Sequence, residues 1–499
     1  MKGQHSMGAC AVGLAALAGT AFAQNTGPST TTSPYVFFFI FVLSTTEIFT
    51  VGDMVNGYRM GGIPDGLGAF SNGNGSFDLV MNHELGATAG IARAHGSTGA
   101  FVSRWTIQND LTVVAGRDHN QSASDIFTWN GTQYVAGTTA YSRLCSADLP
   151  APSAFSFGTL GTTERIFMDG EEAGAEGRAF AHILTGSETN RSYQLPALGR
   201  FSWENSVASP ASSAKTVVVG LDDSNQGQLY VYVGDKTDQG NAVERAGLTN
   251  GSLYGIAVNG MPSESRAAAV GAGTRFSLYN HGDVTNTTGA ALETSSNANG
   301  VTQWLRPEDG AFDPRPGFEN DFYFVTTDRF NSATQDGRAR LYRMRFDDVT
   351  NPLAGGTVEA LLDGTEGGNM FDNLTIDSHG RILIQEDIGG QDPLGKIWLY
   401  DIDTAGFVEV AAHAPEFFGV PAGPNFLTRD EESSGIIDAR DILGDGWFLL
   451  DVQAHYNIPG ELVQGGQLLA MYVAPSIVPA PGALALLGMG GLLAARRRR

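Results

Sequence analysis

Apolar and alternating runs recur at short intervals along the chain, each closed by a polar break that carries glycine. SFDLVMNHEL, RIFMDG, KTVVVGLDDSNQGQLYVYVG, SLYGIAV, DFYFVTTD, RARLYRMRF, RILIQEDIGG, KIWLYDI and GWFLLDVQAHY are rich in β-branched and aromatic residues. Those residue types suit a pleated, half-buried surface. Two stretches read as hairpins. TVVVGLDDSNQGQLYVYV places two strands around a polar loop, and LTIDSHGRILIQED turns at Ser378, His379 and Gly380. The run VFFFIFVL, residues 36–43, is too short to cross a bilayer and is predicted to be a buried first strand. No long amphipathic helix interrupts the series, so the pattern predicts an all-β fold. Strands in fours around an axis would make a propeller, and two layers would make a sandwich. The recurrence of strand, Asp-x-x-Gly, strand favours the β-propeller, although no fixed repeat length stands out.

The ends read differently. Residues 1–23 carry an early lysine, a short apolar stretch and Ala-Phe-Ala before Gln24, the pattern of a secretory signal peptide. Residues 476–499 hold Val478-Pro479-Ala480-Pro481, an uncharged run over residues 482–495 and four terminal arginines. That run is shorter than the roughly 20 residues that span a bilayer, and the arginines would hold its end on the cytoplasmic side. Residues 24–475 are then one propeller domain. The formal charge of −23 becomes more negative once both ends are removed. So acidic a surface repels phosphate backbones and excludes nucleic acid as a partner, and it favours cations, calcium first among them outside the cell. Of two cysteines, Cys10 lies in the leader, which leaves Cys145 as a small, partly buried residue without a disulfide partner.

Acidic residues gather at strand ends. The stretch RIFMDGEEAGAEGRAFAH, residues 165–182, sets Glu171 and Glu172 directly after an apolar run. Glu84 in MNHEL, Glu204 in GRFSWEN, Asp222 and Asp223 in GLDDSNQG, Glu308 and Asp309 in RPEDGAFD, Asp372 in FDNL, and Glu386 and Asp387 in IQED occupy similar places. Carboxylate oxygens are hard donors suited to calcium, magnesium or ferric iron, and converging carboxylates repel unless cations hold them. Taken singly, each pair is also what a solvated turn looks like. His182 and His455 read as core or turn histidines before ligands, and Asp430, Glu431 and Glu432 as a solvated loop before a strand rather than donors at the channel mouth. The chain has no phosphate-binding glycine loop, no His-Glu-x-x-His and no Gly-x-Ser-x-Gly elbow.

In this order the motifs MNHEL, GEE at residues 170–172, LGRFSWE, GLDDSNQGQLYVYV, RPED and FDNLTIDSHGRILIQED resemble the PhoX-type alkaline phosphatases and their DUF839 relatives, from about Thr50 to Tyr456. The resemblance implies a six-bladed β-propeller with a calcium and iron cluster that cleaves phosphate monoesters outside the cytoplasm. It implies Glu171, Glu204 and Glu308 as metal-binding carboxylates, Asp372 as the aspartate of the Asp-Asn-Leu motif, and Arg306 as the catalytic arginine that grips substrate phosphate. A guanidinium fork suits two phosphate oxygens. Glu84, Glu172, Asp222, Asp223 and Glu386 complete the candidate metal set. One departure stands out: the family has Cys-Glu-Glu, with the cysteine an iron ligand, where this chain has Gly170-Glu171-Glu172. Loss of that thiolate leaves calcium as the expected metal and puts iron in question. The tail resembles a PEP-CTERM sorting signal, with Ala480 where the name-giving glutamate stands. That resemblance implies an exosortase-type processing enzyme as a partner, transient membrane association, and a place in the periplasm, on the cell surface or in the matrix of a bacterium. Two functions follow: an exported metallophosphatase acting on phosphate esters, or a non-catalytic, calcium-stabilised propeller that binds surface polysaccharide or matrix.

Overall fold

The apolar runs become strands and the glycine-bearing breaks become turns. In the computed structural model, which describes residues 23–38 and 42–479, strands dominate and the longest helix is Gly289–Ala298. Six strands stand around one axis: Pro64–Ser71, Leu144–Asp148, Trp203–Ala208, Pro307–Phe312, Phe371–Ile376 and Glu431–Asp438. Each packs against the next, and Glu431–Asp438 packs back against Pro64–Ser71, so the ring is closed. Each is also the innermost strand of a sheet that runs outward. The molecule is a six-bladed β-propeller, and we number the blades 1 to 6 in that order.

The interfaces between blades are the core. Val80 and Val102 of blade 1 meet Phe167 and Phe180 of blade 2. Met168 and Ile183 then meet Trp203 and Tyr230, and Val219 and Val231 meet Phe322 and Phe324. Tyr323 and Leu341 pack on Ile384 and Trp398, and Leu383 and Leu399 on Leu450 and Leu469. Leu449 and Leu468 close the circle against Leu79 and Trp105. Both faces of each sheet are thus covered, which explains the near-continuous apolar runs where one-sided sheets would alternate. Each fully buried aliphatic or aromatic side chain contributes about 1.5–3 kcal/mol.

Two features depart from the simplest reading. The run 36–43 is not one strand. Val36–Phe38 pairs with Gly406–His413 at the outside of blade 5, and Val42–Thr50 pairs with Val463–Val473 in blade 6, with residues 39–41 between them outside the described set. The run is thus divided between two blades. Blades 3 and 4 also share an edge: Thr274–Gly282 pairs with Gly356–Leu362, joining the two blades into a nine-stranded sheet. Both predicted hairpins are present, as Lys215–Asp222 with Leu229–Asp235 and as Phe371–Ile376 with Arg381–Glu386.

The proposed leader, apart from Ala23, and the tail beyond Pro479 lie outside the described residues. The carbonyl of Pro479 itself accepts a hydrogen bond from Thr404 Oγ1 at 2.8 Å. Among the described residues no helix is long and apolar enough to cross a membrane.

Candidate metal centre

One hydrogen bond recurs on all six blades and builds the site. The residue two places before an inner-strand donor offers its carbonyl to an amide on the blade's second strand or just beyond it. Glu84 N donates to Ile63 O at 2.9 Å, Glu172 N to Arg143 O at 2.8 Å, and Asp223 N to Ser202 O at 2.9 Å. Thr327 N donates to Arg306 O at 3.1 Å, Asp387 N to Met370 O at 3.0 Å, and His455 N to Asp430 O at 2.9 Å. Side chains alternate along a strand, so the second residue after each carbonyl turns into the channel. Those residues are Asp65, Cys145, Glu204, Glu308, Asp372 and Glu432, an inner ring of one thiol and five carboxyl groups. The amide donors Glu84, Glu172, Asp223, Thr327, Asp387 and His455 form a rim at the same end of the channel.

Donor atoms converge in three overlapping groups. Asp65, Glu84 and Cys145 lie within 4.8 Å of one another, as do Cys145, Glu172 and Glu204, and Glu204, Asp223 and Glu308. Cys145 and Glu204 are shared, which makes one continuous site across blades 1 to 4. Two arginines flank it. Arg306 is forked onto Asp223, with Nε to Oδ1 and Nη2 to Oδ2 both at 2.7 Å, and its Nη2 lies 3.1 Å from Glu308 Oε1. Arg143 Nη2 lies 2.7 Å from Glu84 Oε1, and the guanidinium also pairs with Glu172. Polar side chains tie the rest. Gln453 Nε2 lies 3.0 Å from Asp65, 3.1 Å from Glu84 and 3.3 Å from Glu432. Ser146 Oγ donates to Glu204 Oε1 at 2.5 Å, and Cys145 Sγ lies 3.4 Å from the same oxygen.

Crowding shows in the protonation of the site. Burial, then the charge of Glu84, raises Asp65 to about 8, and the same two causes raise Glu172 to about 8. Glu204, Glu308, Asp372 and Glu432 are pushed well above the usual carboxylate range, in each case by burial first and then by a neighbouring carboxylate. Burial, with Asp65 next, also pushes the Cys145 thiol up. Glu308 sits beside Arg306 and drives that guanidinium further up. Carboxyl groups held this close and this dry want either protons or cations.

The residues fit metal on two counts. The buried oxygen Asp372 Oδ1 has no hydrogen-bond partner, and Glu308 Oε1 has only its ion pair with Arg306, an expense that a coordinated cation reduces. The donor chemistry also divides: Glu204, Asp223 and Glu308 offer only oxygen, suited to calcium, whereas Cys145, Glu172 and Glu204 add a thiol, suited to a transition metal.

The predicted residues fall on both sides of this geometry. Glu84, Glu172, Glu204, Asp223 and Glu308 lie in the three groups, Asp372 lies in the inner ring, and Arg306 flanks it. Glu171, Asp222 and Glu386 do not turn toward the cluster, because each is the last residue of its second strand and sits one place before the rim. Glu171 accepts from Arg178 Nε at 2.7 Å and from Ser142 N at 3.0 Å. Asp222 accepts from Ser224 Oγ at 2.7 Å. Glu386 accepts from Trp398 Nε1 and Asn369 N, both at 2.7 Å. Asp387 and Glu432 are members of the rim and the inner ring.

Asp65, Arg143 and Gln453 were not singled out by sequence reasoning, and Cys145 was read there only as a small, partly buried residue. The departure at Gly170 also changes meaning. A Cβ there would stand 2.3 Å from Trp203 Cβ, so the glycine lets two inner blades approach, and the thiol of the site comes from Cys145.

A family model described as alkaline phosphatase PhoX matches residues 185–414. Among solved structures the chain is similar to Pseudomonas fluorescens PhoX in complex with vanadate, a transition state analogue, at 13% identity and a TM-score of 0.57, covering 86% of this chain and 94% of that one. It is also similar to an α-L-arabinofuranosidase from Podospora anserina in complex with cellotriose, at 9% identity and a TM-score of 0.33, covering 85% of this chain and 95% of that one. No curated protein sequence matches.

Proposed function

We propose that the chain is an exported, metal-dependent phosphomonoesterase of the alkaline phosphatase PhoX type. The observation that carries this reading is the continuous run of three donor groups with an arginine fork at its edge. Glu204, Asp223 and Glu308 would hold calcium, and Cys145, Glu172 and Glu204 a transition metal such as iron. Gly170 therefore does not by itself remove iron, because a thiol is supplied from another strand. Bound cations would polarise the phosphoryl group and lower the cost of charge on its oxygens. Arg306 would bind and orient the ester, with Asp223 fixing the plane of its guanidinium. Gln453 would keep Asp65, Glu84 and Glu432 at hydrogen-bonding distance and set the spacing of the blade 1 and blade 6 donors.

The decisive experiment is metal analysis of the purified protein, followed by phosphate release from p-nitrophenyl phosphate after loading with calcium and iron. Metal-dependent hydrolysis, lost in Glu204→Gln, supports the reading. Fully loaded protein that releases no phosphate from this or other simple monoesters overturns it, and the non-catalytic, calcium-stabilised propeller takes its place. Residues 1–23 and 476–499 would be removed in export, the second by an exosortase-type enzyme, leaving residues 24–475. The mass of the protein recovered from outside the cytoplasm tests this directly.

A further inference from the structure

We infer that Arg143 is a second phosphate-binding residue, which closes on the substrate from the side opposite Arg306. The inference rests on the phosphomonoesterase reading above and adds to it a residue that the sequence did not mark.

Arg143 and Arg306 occupy the same place on blades 2 and 4. Each immediately precedes an inner strand, each stands two residues before an inner-ring donor, and each gives its carbonyl to the rim amide of its own blade. Both have a left-handed backbone, with φ of 47° and 58°. Ile63 and Met370, at the same place on blades 1 and 5, share that conformation with φ of 50° and 45°, so it belongs to the repeated turn and confirms that the two arginines are equivalent in the fold. Blade 3, which contributes Glu204 and Asp223, lies between them. Arg143 pairs with Glu172 in one group that contains Glu204, and Arg306 pairs with Asp223 and Glu308 in the other, so the two guanidiniums sit at the two groups that Glu204 joins.

The repeated backbone hydrogen bond does not account for the arginine. The same position on the other four blades is filled by Ile63, Ser202, Met370 and Asp430, so neither the hydrogen bond nor the fold requires a positive charge there. Arg143 is also the more open of the pair, with 49% of its side chain exposed against 31% for Arg306. Without cations, Glu84 and Glu172 hold it. Once cations neutralise those carboxylates, the attraction that draws the guanidinium down is reduced, and its fork is free to meet an anion above the metals. Two planar forks, one from each side, match the tetrahedral oxygens of a phosphate dianion in a way that one cannot.

The test compares wild type, Arg143→Ala, Arg143→Lys and Arg306→Ala, all metal-loaded, with Arg440→Ala at the opposite mouth of the channel as a charge control. Readouts are metal content, KM and kcat for p-nitrophenyl phosphate, and calorimetric affinity for inorganic phosphate. Arg143→Ala is expected to raise KM and weaken phosphate binding by about 10- to 100-fold while keeping its metals, the loss typical of a charge-assisted fork. Lysine should restore part of the affinity, and Arg440→Ala should match wild type. Arg143→Gln is read in the same way if the alanine variant does not fold. An active wild type whose Arg143 variants keep its KM and phosphate affinity overturns the inference and leaves the function standing. Loss of metal with unchanged KM overturns it too, because Arg143 would then be scaffolding. A metal-loaded wild type that neither binds phosphate nor hydrolyses the ester refutes both.

Discussion

Stripping the metals should cost this protein stability, and should do so more at alkaline than at mildly acidic pH. Donor atoms in each of the three groups lie within 4.8 Å of one another. Two carboxylates at that spacing repel by about 3.5 kcal/mol at an effective dielectric constant near 20. A fully ionised group of three would therefore carry about 10 kcal/mol of repulsion, comparable to the whole stability of a typical domain. Arg143 and Arg306 offset only part of it, since carboxyl groups also come from blades 1, 5 and 6. The metal-free protein must keep protons on the site. Asp65 and Glu172 ionise near 8 in the folded state and near the ordinary carboxylate value when unfolded. The folded state thus binds more protons across that interval, and stability falls as pH rises toward 8, by about 1.4 kcal/mol per pH unit for each group. Differential scanning calorimetry with and without a chelator, from pH 6 to 8.5, reads both effects. The loaded protein should lose Tm with rising pH less steeply than the chelated one, its remaining slope coming from groups away from the site such as Glu47. The chelated protein should lie about 5–10 °C lower at pH 8, as expected for removing ligands bound near 1,000 times their Kd, and should close much of that gap by pH 6. A chelated protein whose Tm equals that of the loaded form at every pH would refute the claim that these carboxyl groups share cations.

Other outcomes follow from single residues. Cys145→Ser should abolish any thiolate-to-metal absorption and weaken the transition metal by roughly 100-fold or more while sparing calcium, since a structural site of four ligands holds about 10–16 kcal/mol in all. Unchanged iron content by elemental analysis would remove Cys145 from the ligand set. Gly170→Cys, which restores the family's Cys-Glu-Glu, should not raise iron content and should destabilise by about 1–3 kcal/mol in urea melts, because its Cβ meets Trp203. Far from the site, burial followed by the charge of Asp53 raises Glu47 to about 8 against its hydrogen bond from Thr30. Its contribution to stability is complete below the ordinary glutamate value and is lost as pH rises toward 8. Glu47→Gln should flatten that part of the pH–stability curve of the loaded protein, as read by urea melts between pH 5 and 8.

The blades were legible because burial on both faces writes itself as uninterrupted apolar runs, and the hairpin turns because glycine and aspartate mark them. The run 36–43 was legible as strand but not as two strands, since apolar character says nothing about which blade receives it. The acidic pairs were legible too, but only to within one residue. Side chains alternate with a period of two, so an error of one place exchanges the channel for the interior of a blade. Glu171 and Glu172 are equally acidic in the sequence, and only the end of the Ile166–Glu171 strand decides that the second reaches the cluster. Asp222 with Asp223, and Glu386 with Asp387, repeat the same ambiguity.

The sixfold device escaped because it lives in the backbone. Its defining residues are Ile63, Arg143, Ser202, Arg306, Met370 and Asp430, which share no side-chain chemistry and therefore leave no repeat in the letters. What they share is a carbonyl placed to accept one amide from the second strand, and a donor that follows two residues later. A carbonyl acts the same way on every residue type, so the side chain at that position is free to vary from blade to blade. The propeller fixes where six donors converge. It leaves six adjoining side chains open, and two of them became arginine on the blades that flank Glu204 and Asp223. The same freedom explains why Cys145 looked like packing: its meaning lies not in its neighbours along the chain but in its being the blade 2 counterpart of Glu204 and Glu308. A thiol among carboxylates at equivalent positions of one ring is hard to account for by packing, because packing does not ask five of six equivalent residues to be acidic and buried.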